Sequence, residues 1–180
     1  MTVVLVRHAL LNGSGADMAD RGLSERGRRQ AHRLTDMLSA HEFDRVLSST
    51  ASACVETVQP LATARTLVVE TDALLDGDPV EVDAVMSLLL ADCGGGIVAC
   101  AGSEVIAAVM DAVRASGCEL LLPEGDTTVR WKKGSAWLLE CHDTNFDRAT
   151  YQPPPPRAGT PGAHTHPSFT AKAPRSFGSS

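Results

Sequence analysis

The chain opens on an unbroken apolar run, Thr2-Val3-Val4-Leu5-Val6, the pattern of a short strand covered on both faces. After Ser24-Glu25-Arg26-Gly27 the apolar positions spread out to Ala31, Leu34, Met37 and Leu38, one face of a helix. Val46-Leu47-Ser48 predicts a second strand, followed by a helix carrying Cys54, Val55, Val58, Leu61 and Ala62 that Pro60 should bend. Leu67-Val68-Val69 predicts a third strand. Asp78-Pro79-Val80-Glu81 has the form of a helix start, with an acid as N-cap and proline at the first position, ahead of Val82, Val85, Met86, Leu89 and Leu90. Gly94-Gly95-Gly96 ends that helix. Ile97-Val98-Ala99-Cys100 is a fourth strand, and Val105, Ile106, Val109, Met110 and Val113 mark another amphipathic helix. Ala136 to Leu139 and Phe146 to Tyr151 pattern as two closing antiparallel strands.

Strands alternating with helices of about a dozen residues imply βαβ crossovers. The expected class is therefore α/β, a three-layer α/β/α domain with a mostly parallel sheet, spanning residues 1–152. In such sheets ligands sit beyond the carboxyl ends of the strands, so chemistry is sought in the residues that follow each strand.

Composition sharpens the boundary. Seven of the ten prolines fall between Pro153 and Pro174, in a stretch with no acid and three bases, Arg157, Lys172 and Arg175. Too little apolar surface is available there to offset the cost of ordering, so residues 153–180 are expected to form a disordered tail. The Pro154-Pro155-Pro156 run could serve as a polyproline ligand for a protein partner or stay solvated, and His164 and His166 are incidental at their spacing. The remaining body holds 13 bases against 22 acids. A body this acidic argues against nucleic acid and against anionic membrane surfaces, so a small anion would need a local group of cations.

No segment is long and apolar enough to span a bilayer, and the first strand lacks a basic leader and a cleavage site, so a cytoplasmic chain is expected. Five cysteines without a C-x-x-C pair fit reduced core thiols. Cys100, at a strand end, lacks the arginine six residues on that a cysteine phosphatase would carry. The glycine run has no G-x-x-x-x-G-K-S/T pattern, which excludes a P-loop. His32 and His41 are expected on the surface.

Arg7-His8-Ala9 is the most informative stretch. A guanidinium beside an imidazole at a strand's carboxyl end can hold a phosphoryl group while a ring nitrogen attacks phosphorus; the bland alternative is a solvated pair. With Arg21-Gly22-Leu23-Ser24-Glu25-Arg26-Gly27-Arg28-Arg29-Gln30-Ala31, with Ser48-Ser49 and Glu56-Thr57-Val58-Gln59-Pro60, and with Val98-Ala99-Cys100 before Glu104-Val105-Ile106, it resembles the histidine phosphatase (phosphoglycerate mutase-like) superfamily. Small bacterial phosphohistidine phosphatases are the nearest flavour. Lys133-Gly134-Ser135-Ala136-Trp137 also resembles phosphatase-like domains fused behind Nudix hydrolases, although no Nudix box is present. The resemblance spans Thr2 to about Tyr151.

The resemblance implies two histidines and two arginines around one phosphate, a transient phosphohistidine, and no metal or other cofactor. Arg7 and His8 match the first pair, with His8 in the nucleophile's place. Arg21 matches an arginine at the pocket rim, or else pairs with a neighbouring acid. Asp76 falls where many members place a general acid, or else is a turn carboxylate. The second arginine should stand five residues after Ser48, where this chain has Ala53, and the second histidine two residues after Cys100, where it has Gly102. Compensation is open to Ser49, Thr50, Ser52 or Ser103, or to Arg130, Lys132 and Lys133 if that cluster folds over the strand ends; the same groups read equally well as caps and solvated loop.

Two functions follow as expectations. One is a domain that binds phosphate or a phosphorylated small molecule, or a phosphohistidine protein, with at most slow hydrolysis through phospho-His8. The other is a non-catalytic regulatory or scaffold module. Full activity on phosphohistidine, whose leaving group needs little acid assistance, is a third.

Overall fold

The structure, a computed structural model, describes residues 1–13, 21–91, 95–126, 128–142, 145–156 and 169–172. In chain order the elements are β1 (Thr2–Arg7), α1 (Glu25–Met37), β2 (Arg45–Ser48), α2 (Ser52–Ala64), β3 (Val69–Thr71), α3 (Val82–Leu90), β4 (Ile97–Ala101), α4 (Ser103–Ala115), β5 (Glu119–Pro123), β6 (Ala136–His142), β7 (Asn145–Gln152) and β8 (Phe169–Lys172). They form one mixed sheet in the order β3-β2-β4-β1-β6-β7-β5-β8, in which β2, β3, β4 and β1 run parallel and β6 returns antiparallel beside β1. The α/β class and the antiparallel closing strands agree with the expectation.

The apolar run that opens the chain lacks alternation because β1 is covered on both faces. Val4 and Val6 meet Leu34 and Leu38 of α1 and Cys54, Val58 and Leu61 of α2. Val3 and Leu5 face the other way, toward Val85 and Leu89 of α3 and the Val105, Ile106 and Val109 face of α4. Full burial of such side chains is worth about 1.5–3 kcal/mol each, and burial on both faces gives the central strands twice the anchorage of an edge. The carboxyl ends of β1 and β4 are therefore a rigid platform. Ser24 caps α1, its hydroxyl accepting from the Gly27 N–H at 3.0 Å. Gly27 is needed for contact: a Cβ there would lie 2.0 Å from the Leu10 carbonyl oxygen, so only glycine lets α1 lie this close to the segment after β1.

Four features differ from the sequence pattern. β3 begins at Val69, two residues late, because the Leu67 N–H bonds the Ala62 carbonyl and Leu67 packs on the α1–α2 core, which spends the first apolar residues on closing α2. α3 starts at Val82 with Glu81 as N-cap; the Asp78–Pro79 peptide is cis and lies in the preceding turn, and Val80 packs on the α3–α4 core. β5 was not legible as a strand: Glu119-Leu120-Leu121-Leu122-Pro123 is too short a run to tell strand from loop, and its pairing with β7 comes from residues about 30 positions on. β8 lies within the segment expected to be disordered; it covers the edge of β5 through antiparallel pairing, Leu121 opposite Ala171. Residues 157–168 and 173–180, with His164 and His166, lie outside the described residues. Helix α2 runs through Pro60 to Ala64.

Candidate functional site

Parallel register brings three strand ends together. Arg7 lies opposite Ala101, and Ser48 and Val6 lie on either side of Cys100, so the loops that begin at His8, Ser49 and Gly102 leave the sheet side by side. β6 enters from the opposite direction, pairing Ala136 with Val6, which brings the preceding loop to the same edge. That loop is fastened: the Arg7 N–H bonds the Ser135 carbonyl at 3.0 Å, and the Gly134 N–H reaches the carbonyls of Arg7 and His8 at 3.0 and 3.1 Å. Gly134 has φ +76°, a backbone conformation that favours glycine, and a Cβ on it would also displace the end of the Gln30 side chain, 2.2 Å away.

His8 is only 8% exposed. Its Nδ1 lies 2.9 Å from the Ala9 carbonyl, an acceptor only, so Nδ1 carries the proton and Nε2 keeps its lone pair in the neutral ring. Burial, chiefly, pushes its pKa below the usual histidine value; the charges of Arg7 and Lys133 push the same way, against the Ala9 bond and Glu104. The ring is thus held as a neutral nucleophile. Its backbone is pinned by α2: the Ala9 N–H donates to Thr57 Oγ1 at 2.9 Å, and that hydroxyl donates to the Ala53 carbonyl at 2.6 Å.

A lowered histidine pKa has a signed consequence. The unfolded chain takes up the proton near pH 6.5 while the folded chain resists it, so stability falls as pH drops through and below about 6.5. We expect the His8 ring resonances to titrate with a midpoint below 6.5 by NMR. We also expect the loss of Tm between pH 7 and pH 5 to be smaller in His8→Gln than in the native chain; equal losses would show that His8 is no more desolvated than in the unfolded chain.

The Arg7 guanidinium is held by Nη1 donating to the Trp131 carbonyl at 2.5 Å, and burial lowers its pKa against Glu104 and Tyr151. Its Nε is buried with no hydrogen-bond partner, and so is Arg21 Nη2. Such orphaned donors are rare and costly, and an anion is the natural group to satisfy them. Arg21 otherwise donates to the Gly13 carbonyl at 3.5 Å.

The other anticipated residues are placed as follows. Ala53 is 3% exposed and packs with Ala9, Leu23 and Ala31, a small-residue cluster under the segment after β1. Gly102 is the N-cap of α4 without a side-chain cap, and a Cβ there would press only on Glu104 Oε2, at 3.1 Å, a carboxylate end that can give way. Ser103 Oγ donates to Glu104 Oε1 at 3.1 Å. Both oxygens of Asp76 are engaged by Thr50, one by its N–H at 2.7 Å and one by its hydroxyl at 2.8 Å, which ties this carboxylate to the loop after β2. Ser49 is buried with its N–H on the Cys100 carbonyl.

Within the basic cluster, Arg130 pairs with Asp126 at 2.7 Å, whereas Lys133 puts its charge near His8 and its carbonyl on Gln30 Nε2 at 2.7 Å. Of the basic cluster that could fold over the strand ends, Lys133 is the member whose charge acts on His8, opposed by that of Glu104, to which the sequence pattern assigned no role of its own. Cys100 is fully buried, and burial raises its thiol well above the usual value, which makes it inert as a nucleophile. Cys93 lies outside the described residues. No helix among the described residues is long and apolar enough to cross a membrane.

Residues 3–77 match the family model for the histidine phosphatase superfamily (branch 1). An 8-oxo-(d)GTP phosphatase of Mycolicibacterium smegmatis is 29% identical over 161 residues, 86% of this chain and 48% of that protein, so the chain spans about half the length of this curated relative. Among solved structures, the protein histidine phosphatase SixA complexed with tungstate aligns with a TM-score of 0.64 at 18% identity, over 84% of this chain and 94% of that one. A mycobacterial glucosyl-3-phosphoglycerate phosphatase aligns at 0.60 and 18%, over 83% and 96%. At these identities the structural likeness is one of fold. The Arg7-His8 pair at the end of β1 lies within the stretch that matches the histidine phosphatase superfamily (branch 1) model, so the first part of the chain is similar to that superfamily and the whole is similar to its members in fold.

Proposed function

We propose that Arg7 and His8 form a phosphoryl-binding site, and that any hydrolysis there is slow and passes through phospho-His8. The observation that carries this reading is the buried, unpartnered Nε of Arg7 beside a neutral His8 whose Nε2 lone pair is free. A phosphate oxygen would accept from Arg7. The Nε2 lone pair then forms the bond to phosphorus as the bond to the leaving group breaks, the leaving atom taking a proton from water. A second water attacks phosphorus, releases orthophosphate and restores the neutral ring. Lys133 supplies positive charge nearby, and in this reading Arg21 offers its own orphaned donor and Ser103, the first residue of α4, a hydroxyl. Asp76, engaged by Thr50, acts in this reading by holding the loop after β2. Slowness follows from Ala53 and Gly102, since one preorganised donor is commonly worth ~10² to 10³ in rate.

The substrate class is a phosphorylated small molecule or a phosphohistidine protein, in keeping with the phosphatase names of the relatives, and the reaction needs no metal. Buried thiols at Cys54, Cys100 and Cys118, none of them in a disulfide, suit a cytoplasmic setting. The test is vanadate and orthophosphate binding followed by ⁵¹V and ³¹P NMR. The native chain should bind vanadate, and Arg7→Ala should weaken binding roughly tenfold or more, as expected for a lost charge-assisted contact. A native chain that binds neither anion would sink the reading. Binding without turnover would favour the second reading, a pseudophosphatase serving as a regulatory or scaffold module, for which glycine at position 102 is the specific support.

A further inference from the structure

α1 carries Arg26, Arg29 and Arg33 at i, i+3 and i+7, so the three stand along one face of the helix over about 10 Å. They line a cavity of about 320 Å³. Leu10 and Gln30 form its inner side, and Pro154 and Pro155 its outer wall, where the chain crosses the helix as it leaves β7. Arg33 Nη1 donates to the Pro156 carbonyl at 2.7 Å, which fixes that wall and leaves the rest of the guanidinium fork available. Arg29 pairs with Glu25, and Arg26 has neither hydrogen bond nor ion pair among the described residues. Three arginines, one of them paired with Glu25, thus line one cavity in a body with 22 acids and 13 bases, a local field of the opposite sign to the whole.

This cavity is separate from the phosphoryl pocket. Gln30 stands between them, its Nε2 donating to the Lys133 carbonyl at 2.7 Å and its Oε1 accepting from the Leu10 N–H at 3.3 Å. Neither Arg7 nor His8 lines it.

We infer that this cavity is a second anion site, one that takes the diphosphate group of a small molecule. Guanidiniums bind phosphate oxygens through paired N–H donors. A single phosphate is too compact to touch the first and last of three arginines spread over about 10 Å, whereas a condensed phosphate reaches neighbouring members of the row. The walls supplied by Leu10 and the two prolines are apolar and suit a nonionic remainder beside the charged group.

Isothermal titration of the full chain with inorganic pyrophosphate and with ADP tests this. Both should bind saturably and more tightly than orthophosphate. Arg26→Ala with Arg33→Ala should weaken binding roughly tenfold or more while leaving the circular dichroism spectrum unchanged, since neither belongs to the buried Gly27, Ala31 and Leu34 face of the helix. His8→Ala should leave diphosphate binding as it was. ADP tighter than pyrophosphate would assign the site to a nucleotide, equal affinities to free diphosphate, and either supports the site. No saturable binding would overturn it, as would binding lost in His8→Ala and kept in the arginine variant, which would put the diphosphate in the phosphoryl pocket. A native chain that fails to bind vanadate yet binds diphosphate would overturn only the phosphoryl-pocket reading.

Discussion

His8→Ala is expected to lower release of phosphate from an aryl phosphate or a phosphohistidine substrate by roughly 10³-fold or more, to the uncatalysed background. Removal of a covalent nucleophile leaves only binding and positioning to act on the barrier, and losses of that size or larger are usual. The case for His8 is geometric. The Ala9 carbonyl can only accept, so it fixes the proton on Nδ1 and frees Nε2. Burial keeps the ring neutral, and Thr57 holds the Ala9 N–H so that the segment cannot drift. The measurement is phosphate release under single-turnover conditions, with acid-labile, base-stable ³²P on the protein as the mark of phosphohistidine. Turnover that survives in His8→Ala would move the nucleophile elsewhere and end the mechanism given above.

The second large effect runs in the opposite direction. Ala53→Arg combined with Gly102→His should raise the rate of the native chain by roughly 10²-fold or more, each restored donor being worth ~10² to 10³ alone and the pair less than the product. The two sites differ in what stands in the way. Position 102 can take a side chain, since a Cβ there presses only on Glu104 Oε2, a carboxylate end that can give way. Position 53 is packed against Ala9, Leu23 and Ala31, so an arginine must leave that cluster at its Cβ and carry its charge out to the strand ends. Gly102→His alone should therefore fold as the native chain does, and the double variant should show a lower Tm with a higher rate. A double variant that folds and gains no activity would mean that the loss of function lies beyond these two side chains.

How much of this was legible before the structure depends on where the information sits along the chain. β1, α1, β2, α2, β4 and α4 carry their own signals: buried runs for strands covered on both faces and a 3.6-residue period for helices packed on one. Arg7 and His8 were legible for the same reason, because a motif that directly follows a strand is local. β5 and β8 were not, since each is a strand only through its partners: Leu121 pairs with Thr150 on one side and Ala171 on the other.

The candidate site divides along the same line. The sequence by itself determined the class of fold and the strand end at which the Arg7-His8 pair stands, because these depend on local pattern; that Ala53 and Gly102 occupy the places of a second arginine and histidine is what the family resemblance implies. Only the tertiary structure decided that Lys133, 125 positions after His8, lies close enough to lower its pKa; that Asp76 spends both oxygens on Thr50; and that Pro154 and Pro155 close a cavity over the arginines of α1. The contacts of Lys133 and of the two prolines join segments whose separation along the chain is erased by the return of β6 beside β1 and of β7 beside β6, and that of Asp76 follows from the pairing of β2 with β3. The physical reason is that charge and hydrogen bonding act through space over a few ångströms, whereas hydrophobic period and capping act along the chain over a few residues.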